Sequence, residues 1–135
     1  MNPVYFAEGN GQGRIIMTYT FTGTEAAGTE IMRSPKMFGR QLYTEIRKIA
    51  ETGIATTTGK IGIASNDEDQ VDDDDFFAAS AALNAGDTVI FTQSATEEKQ
   101  VDFRHQFTVK TAGAAVAGNA GKTLKFDIKF IPFSI

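Results

Sequence analysis

Seven carboxylates fall within ten residues, Asn66 to Asp75: Asp67, Glu68, Asp69 and Asp72 to Asp75. Such a cluster can bind a hard cation, because a divalent ion relieves the repulsion between neighbouring carboxylates. The spacing excludes an EF-hand calcium loop. Counted from Asp67, the fifth position is Val71, the sixth Asp72 and the twelfth Ala78, where the motif needs an oxygen ligand, a glycine and a bidentate Glu. A second reading is electrostatic: Asp73, Asp74 or Asp75 caps a helix beginning at Phe76, with its charge at the positive end of the helix dipole. A third reading pairs the acidic run with basic groups of a partner chain.

The other candidate motifs carry less chemistry. Ala117 to Thr123, AGNAGKT, resembles the end of a phosphate-binding loop, but the required upstream glycine is Val116 and the following TLKFDIKF reads as a strand, not a helix. The lone histidine, His105, alternates with Phe103 and Phe107 and reads as a packed strand residue. Cysteine is absent, so there is no thiolate zinc site, no disulfide and no cysteine nucleophile. No nucleophile elbow of the G-x-S-x-G type is present. The residues call for no cofactor.

Charge is unevenly distributed. The formal net charge is −4, from 13 basic and 17 acidic residues; without the seven carboxylates the balance becomes 13 against 10, or +3. One local feature therefore makes the chain acidic. Lys122, Lys125 and Lys129 alternate with Leu124, Phe126 and Ile128 and line the outer face of the last strand. Positive charge and exposed aromatics are too sparse for a nucleic-acid site, and no apolar run reaches membrane-spanning length. The expected partners are proteins, with no membrane and no direct nucleic acid.

These groups must be held by one domain, residues 1–135, with a flexible glycine-rich N-terminal segment and an apolar C-terminal tail. Arg14 to Thr22 alternates as a strand, with Ile15, Met17, Tyr19 and Phe21 on one face. Thr29 to Arg33 reads as a short strand. Ser34 and Pro35 suit an N-cap and a first helical position, and Phe38, Leu42, Ile46 and Ile49 follow at helical spacing. Ile54 to Ala64 suggests two short strands broken near Gly59, or one irregular strand, and Phe76 to Asn84 a second helix. Thr88 to Gln93, Lys99 to Thr111 and Lys122 to Phe133 read as three closing strands. The expected fold is α+β: an antiparallel sheet or small sandwich with one long helix, about 35–52, and one short helix, about 75–84.

The chain closes with FIPFSI, which places Phe130, Ile131, Phe133 and Ile135 within six residues, with Pro132 expected to stop the ladder. Such a tail must fold onto its own core or insert into another subunit. The stretches RIIMTYTFT, TAGAAVAGNAGKT and LKFDIKFIPFSI, in a small cysteine-free chain rich in Thr, Gly and Ala, resemble the minor structural proteins of tailed-phage virions. That resemblance implies a non-enzymatic decoration, cement or tail subunit, assembled into the virion in the host cytoplasm. Its partners would be other virion proteins or copies of itself. The candidate contacts are Asp72, Asp73, Asp74, Lys125, Lys129, Phe130, Ile131, Phe133 and Ile135. Two alternatives are a metal-dependent hydrolase using the 67–75 carboxylates with His105, and a ligand-binding β-module.

Overall fold

The computed structural model describes residues 4–7, 13–36, 40–65, 72–94, 99–101 and 104–133. Among the described residues ten strands run in chain order: β1 (Val4–Ala7), β2 (Gly13–Thr20), β3 (Glu30–Arg33), β4 (Arg40–Ala50), β5 (Thr58–Ser65), β6 (Asp73–Ala82), β7 (Gly86–Thr92), β8 (Gln100–Val101), β9 (His105–Thr111) and β10 (Thr123–Phe133). A six-stranded sheet has the order β1-β2-β10-β4-β7, with β8 also paired to β4. A four-stranded sheet has the order β3-β9-β5-β6. Every pairing is antiparallel.

The two sheets share one core. Ile15 and Met17 of β2, Ile46 of β4 and Leu124, Phe126, Ile128 and Phe130 of β10 meet Ile61 of β5 and Phe107 and Val109 of β9. Phe107 and Phe126 approach across the layers at 6.2 Å between ring centroids. Strict alternation in β2 and β10 places these residues on the inner face, and each fully buried side chain contributes roughly 1.5–3 kcal/mol of burial. The expectations for these two strands agree with the structure.

The expected α+β class is corrected, and with it both expected helices: the described residues form two antiparallel sheets. Arg40–Ala50 is strand β4, paired with β10 on one side and with β7 and β8 on the other. Thr44 is an extra residue in that ladder: Lys129 faces Glu45, whereas Phe130 faces Tyr43. This bulge turns both Tyr43 and Ile46 inward, and their three-residue step imitates a helical repeat. Ser34 caps no helix. It extends the β3–β9 edge, its N–H donating to the Phe107 carbonyl at 2.9 Å and its Oγ accepting from Phe107 N at 2.9 Å. Phe38 lies outside the described residues.

The segment expected as the short helix, about 75–84, is mostly strand β6, ending at Ala82. The only helical turn among the described residues is a short 3₁₀ turn, Ala117–Asn119, and no helix is long and apolar enough to cross a membrane. The span Lys99 to Thr111 is divided between β8 and β9, with Arg104 in a turn. Pro132 does not stop the ladder. Pro132 and Phe133 continue β10 opposite Gln41 and Arg40 of β4, beyond the point where β2 has ended at Gly13. A proline lacking an N–H is tolerated on such a one-sided stretch.

Two polar anchors lie toward one end of the larger sheet, where Tyr19, Ala50 and Leu124 share a row. Glu25 is buried and accepts from the Tyr19 hydroxyl, from Thr22 N at 2.8 Å and from Gly23 N at 3.1 Å, closing the loop after β2. Burial alone would raise its pKa, but hydrogen bonds from Tyr19 and Thr22 outweigh that and hold it at about 2. Burial and the adjacent Glu25 carboxylate push the Tyr19 hydroxyl up to about 12. Lys48 points inward from β4, and its buried stem carries Nζ to the Asn84 carbonyl at 2.7 Å. Burial lowers its pKa, partly offset by the charge of Asp87.

Candidate functional site

Asp73 to Asp75 of the acidic run lie on β6, the outer strand of the smaller sheet. Ile61 of β5 faces Ala78 of β6, yet Ile63 faces Asp73, so a two-residue step on β5 spans five on β6. The extra residues bulge, and the bulge has two sides. Phe77 turns inward, with its ring centroid 5.0 Å from Tyr43, 5.3 Å from Phe91 and 5.8 Å from Phe107. Phe76 meets it edge-on at 5.0 Å, and Lys99 Nζ lies 4.6 Å from the Phe76 centroid. The aspartates stay at the surface.

Glycine at position 62 lets the bulge cross β5. A Cβ there would lie 2.2 Å from the Asp73 carbonyl oxygen and 2.4 Å from the Asp74 carbonyl carbon. Asp72 is held by Ser65, whose N–H donates to its Oδ1 at 2.6 Å. Asp74 sits 3.8 Å from Lys60 Nζ and 3.9 Å from Lys110 Nζ, on cross-strand neighbours of β5 and β9. Asp73 and Asp75 are exposed. A hydrogen bond with Asp75, slight desolvation and repulsion from Asp75 and Asp74 raise the Asp73 pKa above the ordinary aspartate range. The expected role of Asp73 to Asp75 as helix caps is corrected, since no helix follows them. Asp67, Glu68 and Asp69 lie outside the described residues.

Of the hydrolase residues, Asp72 is bonded to Ser65, the cross-strand neighbour of His105. His105 is half-buried at the start of β9, opposite Ser65, while Asp74 faces two lysines. Among the described residues no group of three or more His, Asp or Glu side chains is placed to hold a metal ion.

A second surface lies on the other layer. The register places Ile16 of β2, Asp127 of β10, Arg47 of β4 and Val89 of β7 in one row across the larger sheet, on its outer face. Flanking rows carry Arg14, Lys129 and Glu45, and Lys125, Ile49 and Asp87. Arg14 grips Asp127 with two bonds, Nε at 2.8 Å and Nη2 at 2.6 Å. This contact lowers the Asp127 pKa against partial burial, with Lys129 and Arg47 adding to the effect. Arg47 bridges Glu45 at 3.2 Å and Asp87 at 2.7 Å. Lys125 and Lys129 form no ion pair among the described residues. Val89 is 39% exposed and Ile131 38%.

The tail residues divide. Phe130 is buried beside Tyr43 at 5.9 Å, inside the chain's own core, while Ile131 faces outward. Phe133 lies in β10 opposite Arg40, and Ile135 lies outside the described residues. Lys125 and Lys129 can be placed on an outer face from alternation alone. Arg14, Arg47, Ile49 and Val89 join them only because β2 and β4 flank β10, a neighbourhood with no local sequence signal.

No family model matches the sequence, and no curated protein matches it. Among solved structures, the chain is similar to one described as "Capsid of Ralstonia phage GP4", with a TM-score of 0.60 and 19% identity. The match covers 100% of this chain and 92% of that one. At this identity the likeness is one of fold.

Proposed function

We propose that the chain is a non-enzymatic structural subunit of a phage virion, placed on the capsid as a decoration or cement protein and working through subunit contacts. The observation that carries this reading is the likeness of the whole chain to a chain from a phage capsid. A capsid position is favoured over a tail position because that neighbour is described as capsid. The surface chemistry supports the reading. The inner faces of both sheets are spent on the core, and the outer surfaces carry an acidic bulge and a mixed apolar and basic face.

The test is association with particles. Labelled protein added to purified capsids that lack it is expected to co-sediment with them and to raise their resistance to heat or chelation. Failure to sediment with capsids, together with its absence from intact virions by mass spectrometry, would overturn the proposal.

A further inference from the structure

We infer that copies of this chain associate head to tail, the acidic β6 bulge of one copy docking on the outer β2–β10–β4–β7 face of the next. This rests on the proposed structural role and names the partner of its two surfaces: a second copy.

The receiving face has the composition of a contact surface. Ile16, Ile49, Val89 and Ile131 are apolar and at least partly exposed, and they stand among cations. Its acids are already engaged, Asp127 by Arg14 and both Glu45 and Asp87 by Arg47. Lys125 and Lys129 are left, on either side of Asp127 along one strand. The face therefore offers positive charge around apolar side chains, the arrangement that selects an acidic partner.

The bulge offers the complement. Asp74 is occupied by Lys60 and Lys110, but Asp73 and Asp75 are exposed and near enough to repel each other. Lysines from another copy would relieve that repulsion. The bulge belongs to an edge strand of one sheet and the receiving face to the other sheet. The two surfaces are different patches, so the contact is heterologous. Repeated copies then close into a ring or extend as a filament.

The full chain, purified alone, tests this by light scattering after gel filtration at low salt and at about 0.5 M salt, where screening is nearly complete beyond contact distance. Self-association is expected at low salt and should weaken at high salt. Two double variants, Asp73→Lys with Asp75→Lys and Lys125→Glu with Lys129→Glu, should each weaken association by roughly tenfold or more, because each places like charges face to face. Mixing the two variants should restore assembly. A third variant, Val89→Glu, should weaken it without altering the bulge, and circular dichroism confirms that each variant is folded.

A protein that stays monomeric at low salt, or an oligomer indifferent to both charge reversals, overturns the inference. Capsid co-sedimentation separates this result from the broader proposal. A monomer that still binds capsids refutes only the head-to-tail contact, while an oligomer that never binds them refutes the virion role.

Discussion

Gly62→Ala puts the bulge itself under test. The added methyl would stand 2.2 Å from the Asp73 carbonyl oxygen and 2.6 Å from that of Asp74, both backbone atoms with no rotamer to yield. Ordinary contact requires β6 to withdraw by about 1 Å or more. Withdrawal would draw Asp74 away from Lys60 and Lys110, a loss of less than about 1 kcal/mol at that exposure. It would also lift Phe77 from Tyr43, Phe91 and Phe107, where aromatic contacts add about 0.5–1.5 kcal/mol beyond burial. With about 1–3 kcal/mol for overpacking, the expected destabilisation is about 2–5 kcal/mol. Urea unfolding followed by far-ultraviolet circular dichroism measures it, since the chain has no tryptophan. Gly118→Ala is the control: nothing lies within 4 Å of its added Cβ, and the change should stay within about 0.5 kcal/mol. If Gly62→Ala proves as harmless as Gly118→Ala, the crossing of β6 over β5 is not as described.

Acid should reveal the Glu25 anchor. Its folded pKa of about 2 lies below the ordinary 4.5, so its stabilisation is present above pH 4.5 and is lost as the pH falls toward 2. The difference corresponds to about 3 kcal/mol, and Glu25→Gln should flatten the acid limb of a stability–pH profile. Tyr43→Phe should leave stability unchanged or raise it by about 1 kcal/mol, because the buried hydroxyl finds no hydrogen-bond partner among the described residues; thermal unfolding reads this directly. Arg14→Ala should cost about 1–3 kcal/mol in denaturant unfolding by leaving Asp127 largely buried without its bidentate partner, and Asp127→Asn in the same background should recover part of that loss.

The strands that alternate without interruption could be read from the residues. β2 and β10 pair in continuous register from Gly13 to Thr20, so a period of two survives along both, and Ile15, Met17, Leu124, Phe126 and Ile128 are legible as core. β4 hides because Thr44 breaks that period. The bulge sends Tyr43 and Ile46 to the same face, while Leu42 and Ile49 turn outward, which no local rule anticipates. β6 hides for a related reason: its five-to-two step against β5 leaves Asp73 to Ala78 without a steady period. Ser34 and Pro35 carry the chemistry of a helix start, but the Phe107 backbone takes the bonds a helix would have used. The charged face was half legible. Lys125 and Lys129 follow from alternation, whereas the arginines that neutralise its acids arrive from strands remote in the chain.

The central position of β10 also governs synthesis. Until Thr123–Phe133 is made, β2 and β4 each expose a row of unpaired N–H and C=O groups where that strand belongs, whatever follows residue 133. The smaller sheet is assembled from β3, β5, β6 and β9, all of which precede β10, so it can form on the nascent chain while the larger sheet waits. A ribosome stalled after β9 would hold half a sandwich with its inner face uncovered, the state most prone to pair with a neighbouring nascent chain.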